Sequence, residues 1–260
     1  MPLTSILLHL DSTASAPARL SLAIGYAAKH GARLIAVYAD GSDRPGAAEE
    51  AGGLFSGETA RKGISAEWHA PECHGEGIGL VETLSLLAHL SDLVIVGQTP
   101  PDGWSPGVPV DLPERLILSS GRPVLTVPYA GGYTSYGERV LVGWKDGRGS
   151  TRSLHDALPI LEKAQRVHIL RVLISKDSGT PAGLSVNLIS FLAGHGIKAR
   201  PEDILAPDFP LGDLLLNHAC EEGIDLLVMG AYDVSHGKPV LGKTARHILR
   251  HMTLPVLMSH

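Results

Sequence analysis

Ser91-Asp92-Leu93-Val94-Ile95-Val96-Gly97 recurs as Ile224-Asp225-Leu226-Leu227-Val228-Met229-Gly230, 133 positions further on. Each stretch is followed by a Pro-Val-Leu run, Pro123-Val124-Leu125 and then Pro255-Val256-Leu257. Upstream, Ile6-Leu7-Leu8-His9-Leu10-Asp11 answers Val140-Leu141-Val142-Gly143-Trp144-Lys145, and Arg33-Leu34-Ile35-Ala36-Val37 answers Arg166-Val167-His168-Ile169-Leu170. Landmarks in one order at a nearly constant offset mark a duplicated domain. The 260 residues therefore divide into two units of similar size, 1–130 and 138–260, joined by a glycine-containing linker at 131–137. Function has to be sought by comparing the copies.

Each copy alternates short apolar runs with amphipathic stretches, the pattern of a parallel sheet covered by helices. In the first copy, residues 5–10 read as a buried strand because apolar residues run on without alternation. A helix follows, with Pro17 in its first turn and Gly31 as its stop. Strands are expected at 32–38 and 64–70, a helix over 76–90, and a strand ending at Gly97. Residues 41–63, glycine-rich with interspersed charges, read equally as a loop or a weak helix. The second copy repeats the order: strand 139–144, helix 151–163, strand 166–173, helix 183–195, strand 197–204, helix 211–222, strand 225–229, helix 243–251 and strand 255–259. Pro159 predicts a kink or a shifted start in the first of these helices.

A hydrophobic content of 44% against 19% charged residues supplies two packed cores, aliphatic ones, since aromatic residues make up only 5%. The net charge of −5 gives no electrostatic footprint for nucleic acid or anionic lipid. Cys73 and Cys220 form no disulfide framework, the opening strand has no basic flank, and no apolar run reaches the length of a membrane span. The expectation is a cytoplasmic protein with neither nucleic-acid nor membrane partners.

In open parallel α/β sheets, ligands collect at the carboxyl ends of the strands, and anions sit on helix N-termini. The residues to inspect follow the strands, above all Gly97 and Gly230. Here the second copy resembles a known family. Asp225-Leu226-Leu227-Val228-Met229-Gly230-Ala231-Tyr232, then Leu241-Gly242-Lys243-Thr244-Ala245-Arg246-His247 and Leu254-Pro255-Val256-Leu257, look like the C-terminal signature of universal stress proteins. Val140–Trp144 and Asp156–Leu161 resemble the tandem bacterial members.

The resemblance implies two copies of an open five-stranded, mostly parallel α/β sheet flanked by helices, of the adenine nucleotide alpha hydrolase-like type. It implies pairing of the two domains into an internal pseudo-dimer, with a homodimer as a further state. It also implies a nucleotide site of pattern Gly-x2-Gly-x9-Gly-Ser/Thr, in which glycines let backbone amides approach phosphate. This chain departs from that pattern. Gly230 and Gly242 match the first and third glycines, Asp233 stands at the second, and Lys243 replaces the hydroxyl residue, with Thr244 next. An aspartate facing a polyphosphate at 4 Å costs up to about 4 kcal/mol near a surface. In the first copy Gly97 survives, but Val110 and Asp111 fall where Gly242 and Lys243 stand. At the adenine end, relatives carry an aspartate after the first strand, here Asp11 in the first copy but Lys145 in the second. The implied site residues are Lys145, Val172, Met229, Gly230, Asp233, Gly242, Lys243 and Thr244, with Asp11, Val37 and Gly97 as a weaker set. The implied ligand is an adenine nucleotide, ATP or AMP, or another small molecule.

Gly237-Lys238-Pro239-Val240-Leu241-Gly242-Lys243-Thr244 also matches the P-loop pattern GxxxxGK[ST]. A P-loop needs a strand running directly into its first glycine, whereas the preceding strand ends at Gly230 and Pro239 interrupts the loop. The match is read as an altered stress-protein loop. A weak ATPase or phosphotransferase built on it is the competing reading. Asp40, after the second strand, is read as a strand-end residue rather than a metal-binding acid. His247 and His251 are spaced for a metal but read as cations near a helix C-terminus, and His69, Cys73 and His74 as a solvated loop. No serine elbow, zinc-protease motif or triad appears. The reading is a stress-response binding module, not an enzyme, with no catalytic residues and no metal.

Overall fold

The computed structural model describes residues 2–39, 45–71, 79–100, 107–133, 137–173, 182–206, 209–235 and 238–260. Asp40, Cys73 and His74 lie outside them. The chain divides into two compact units, Pro2–Thr134 and Ser135–His260.

The first unit runs β1 (Ser5–Leu10), α1 (Ala16–His30), β2 (Arg33–Tyr38), α2 (Ala47–Arg61), β3 (Ala66–His69), α3 (Leu80–Ala88), β4 (Leu93–Gly97), α4 (Leu112–Ser119) and β5 (Val124–Val127). Its strands lie in the order β3-β2-β1-β4-β5, all parallel. The second unit runs β6 (Arg139–Trp144), α5 (Arg148–Leu161), β7 (Arg166–Leu173), α6 (Ala182–Gly194), β8 (Ala199–Leu205), α7 (Leu211–Glu221), β9 (Leu226–Gly230), β10 (Tyr232–Ser235), β11 (Lys238–Leu241), α8 (Lys243–His251) and β12 (Val256–Ser259). Its parallel strands lie in the order β8-β7-β6-β9-β12. Each unit is the five-stranded α/β sheet expected. Strands β1 and β4 in one unit and β9 in the other are almost wholly buried, and β6 is buried through its middle residues Val140–Val142, because helices cover both faces.

The repeated aspartate has a structural task in both copies. Asp92 accepts the backbone N–H groups of Thr4 (2.8 Å) and Ser5 (3.0 Å), fastening the start of β4 to the start of β1. Asp225 does the same for Glu138 (3.1 Å) and Arg139 (3.0 Å) at β9 and β6. Burial raises the Asp92 pKa, but these hydrogen bonds outweigh it and hold the carboxyl below its ordinary value. One carboxylate thus sets the register of the two strands that flank the crevice.

Four local outcomes settle or depart from the sequence reading. Residues 47–61 form a full helix, although only Phe55 and Thr59 of α2 are buried, so its pattern was weak for a physical reason. Helix α4 was not anticipated, and it starts at Leu112 with Asp111 at its N-cap. Asp111, not Val110, is therefore the positional counterpart of Gly242, the N-cap of α8. Finally, β10 and β11 form an antiparallel hairpin, with Asp233 opposite Val240 and Ser235 opposite Lys238. The backbone of Lys238–Leu241 is engaged in that ladder and does not form a phosphate cradle. Helix α5 begins at Arg148 rather than 151, with Pro159 inside it.

Candidate functional site

In each unit the chain reverses its direction of travel across the sheet between the central strands, β1 and β4 or β6 and β9. This leaves a crevice at their carboxyl ends. The second unit's crevice is a cleft of ≈ 400 Å³. Its walls hold Lys145, Val172, Met229, Gly230, Gly242, Lys243 and Thr244, which the structure brings together. Asp233 lies beside them in β10 by its backbone, and its side chain is outside the described residues.

Two helices begin at this cleft, α5 after Gly147 and α8 after Gly242. Their unpaired N–H groups and dipoles favour negative charge. Lys145, Arg148 and Lys243 are exposed cations on its wall; among the described lining residues the acid is Asp146, which accepts the Trp144 Nε1–H at 2.9 Å. Leu170, Val172, Leu211, Leu215 and Met229 supply an apolar side. The arrangement suits a ligand with an apolar or flat body and an anionic end.

The glycines decide the close fit. A Cβ on Gly230 would lie 2.5 Å from the carbonyl carbon of Gly149 and 2.8 Å from the Ser150 nitrogen. Only glycine lets the first turn of α5 close onto the end of β9. The Ser150 hydroxyl accepts the Lys145 N–H at 3.1 Å, fixing the loop between β6 and α5. At the rim, the Arg148 guanidinium stands 5.3 Å from the Tyr232 ring centroid, and Tyr232 packs on His260 at 5.0 Å. Burial, and then the Arg148 charge, lower the His260 pKa.

The first unit's crevice is almost filled, with ≈ 20 Å³ left among His9, Asp11, Thr13, Gly97 and Leu112. The filler is Arg19. Its guanidinium lies 2.8 Å from Asp11 Oδ1, with the two side chains only 1% and 8% exposed, and its Nε–H donates to the His9 carbonyl at 2.9 Å. A Cβ at Gly97 would overlap that guanidinium. Asp11 also accepts the Thr13 backbone N–H (3.1 Å) and hydroxyl (2.5 Å). Burial pushes the Asp11 pKa up, yet the Arg19 and His9 charges and these hydrogen bonds outweigh it and hold the carboxyl below its ordinary value. Asp11 is thus consumed internally. Val37 is fully buried in β2 and does not line the crevice.

Sequence reasoning passed over Arg19, Arg148, Trp144 and Tyr232. Arg19 left a signal: an arginine on the stripe with Leu20, Ala23 and Tyr26, all buried in α1. Its counterpart on the buried face of α5 is Ser153, in the run Ser153-Leu154 with Ala157 and Leu158. The His247 and His251 rings lie 4.5 Å apart, tilted by 40°, and His247 Nε2 meets Asp213 Oδ1 at 2.6 Å. Among the described residues no group of three or more His, Cys, Asp or Glu could hold a metal ion. None of the described helices is long and apolar enough to cross a membrane.

No family model and no curated protein matches the sequence. Solved structures do match. A universal stress protein from Archaeoglobus fulgidus superposes with a TM-score of 0.71 at 18% identity, over 98% of this chain and 95% of that one. The chain has the fold of a tandem universal stress protein. A functionally unknown protein from Pseudomonas aeruginosa is similar, with a TM-score of 0.66 at 15% identity over 99% of this chain and 92% of its own. The universal stress protein fold places its crevices at the β1/β4 and β6/β9 ends, one filled and one open.

Proposed function

We propose that this chain is a tandem universal stress protein acting as a stress-response binding module, and that its second unit takes an adenine nucleotide, ATP or AMP. The observation that carries this is the open cleft where two helix N-termini meet Lys145, Arg148 and Lys243 beside an apolar wall. The first unit, with Arg19 in the crevice, is a scaffold copy. The module binds without turnover, since the hairpin β10–β11 takes the backbone that a P-loop needs.

Calorimetric titration of the full chain with ATP and AMP tests the reading. The expected result is binding that Lys243→Glu weakens by about tenfold or more, through loss of an attraction and gain of a repulsion. Asp233→Gly strengthens it by removing a like charge. Absence of binding, or magnesium-dependent hydrolysis abolished by Lys243→Ala, overturns the proposal. Mass spectrometry of ligands retained after gentle purification identifies any other small molecule that holds the cleft instead.

A further inference from the structure

In the second unit the cations of the cleft come from two separate elements. Lys243 opens α8 beside Gly242, while Lys145 and Arg148 flank the turn from β6 into α5. All three are exposed. Among the described residues no ion pair holds Lys145 or Lys243, and Arg148 meets the Tyr232 ring, 5.3 Å from its centroid, rather than a carboxylate. The neighbouring acid is already engaged: Asp146 accepts the Trp144 indole N–H at 2.9 Å, and its charge acts on Arg171 of β7.

Lys145 occupies the informative position. It stands just past the first strand of its unit, β6, where the first unit carries Asp11 just past β1. Its backbone is fixed there, since the Lys145 N–H donates to the Ser150 hydroxyl at 3.1 Å. In nucleotide sites of open α/β sheets an acid at this end hydrogen-bonds the ribose hydroxyls, and a nearby cation accommodates a phosphate carried on one of them. An unmodified ribose offers Lys145 only neutral hydroxyls. A ribose phosphate offers Lys145 and Arg148 a dianion, with charge-assisted hydrogen bonds that a hydroxyl cannot match.

We propose that this cleft selects an adenosine nucleotide with two separated phosphates, one on the 5′ oxygen and one on the ribose 2′ or 3′ oxygen. The inference rests on nucleotide binding in the second unit and names the form of nucleotide. The 5′ phosphate lies at Lys243 and the start of α8, and the ribose phosphate at Lys145 and Arg148. The base lies against the apolar wall of Val172, Leu215 and Met229.

The test is calorimetric titration of the full chain with AMP, ADP, adenosine 2′,5′-bisphosphate and adenosine 3′,5′-bisphosphate. ADP carries its second phosphate on the 5′ chain and so controls for added charge alone. One of the bisphosphates binds at least about tenfold more tightly than AMP or ADP, the effect of a further phosphate–cation attraction near a surface. Lys145→Asp, which places the acid of the first unit's crevice in the second, reverses the order, so that AMP binds more tightly than the bisphosphate. Lys243→Glu weakens AMP and the bisphosphate alike. Bisphosphates no tighter than ADP, or a preference that survives Lys145→Asp, overturn this proposal and leave nucleotide binding standing. Failure of all four nucleotides to bind overturns both.

Discussion

The two crevices share strands, register aspartate and strand-end glycine, yet one holds ≈ 400 Å³ and the other ≈ 20 Å³. The difference traces to a pair of positions. Where the first unit has Arg19 and Asp11, the second has Ser153 and Lys145. An arginine on the helix face beside the strand ends reaches into the crevice and neutralises the acid there. A serine leaves the space open, its hydroxyl bonded to the Ser150 carbonyl at 3.1 Å. A duplicated site can therefore be retired by one long side chain without disturbing the fold. The buried ion pair is weak evidence of added stability, since desolvation offsets much of its attraction. Its evident role is to fill and to satisfy.

That contrast can be broken experimentally. Arg19→Ala leaves Asp11 buried without its partner and should destabilise the first unit by about 3–5 kcal/mol, measured by chemical denaturation. Arg19→Ser combined with Asp11→Asn should recover much of that loss and open the first crevice. A single variant within about 1 kcal/mol of the parent would mean that Arg19 is not the structural plug. Gly230→Ala comes next. The new Cβ meets Gly149 and Ser150 backbone, so a loss of about 1–3 kcal/mol and a weakened nucleotide titration are expected. Unchanged stability and affinity would show that the α5–β9 closure is not what shapes the cleft.

Acid sensitivity should separate the units more gently. Asp11 has a folded pKa below its ordinary value, so its contribution is present above the carboxylate range and lost only as pH falls through that lower folded value. His168 of β7 is also depressed, by burial first and by Arg200 and His218, with Glu222 and Glu202 opposing. A buried neutral histidine stabilises above its unfolded pKa near 6.5, and that contribution fades as pH drops from there through the folded value. Hydrogen exchange resolved by peptide should therefore show protection falling in β7 and α7 at mildly acidic pH, before α1. The reverse order would contradict the assignment of these two groups. Smallest is Ser153→Ala, expected to cost about 1 kcal/mol for one lost hydrogen bond and to leave the cleft open. Closure of the cleft in that variant, seen as lost nucleotide binding, would sink the role given to this position.

Much of the fold was legible because the duplication let each copy check the other. Strand β9 and helix α8 fall within a residue of their sequence assignment, since continuous apolar runs and a glycine N-cap are local signals. Helix α4 carried such signals too, Asp111 before Leu112-Pro113-Glu114, but they followed a proline-rich stretch that read as loop. Helix α2 was obscured by Gly52, Gly53 and Gly57 and by having few buried positions, so no apolar stripe announced it. The second strand of the hairpin, β11, hid inside a segment that matched a phosphate-loop pattern, where letters alone do not tell a ladder from a cradle.

By itself the sequence determined the duplicated α/β architecture, the strand ends at Gly97 and Gly230, and the second-copy residues that line one cleft. These follow from periodicity and local backbone chemistry, which are written within a few residues of each position. Only the tertiary structure decided which crevice is open. That outcome depends on how far the Arg19 side chain reaches across from α1 to Asp11 and Gly97, and on Gly230 meeting the first turn of α5. Close packing makes such a site all or nothing: a guanidinium occupies the volume, or a ligand does.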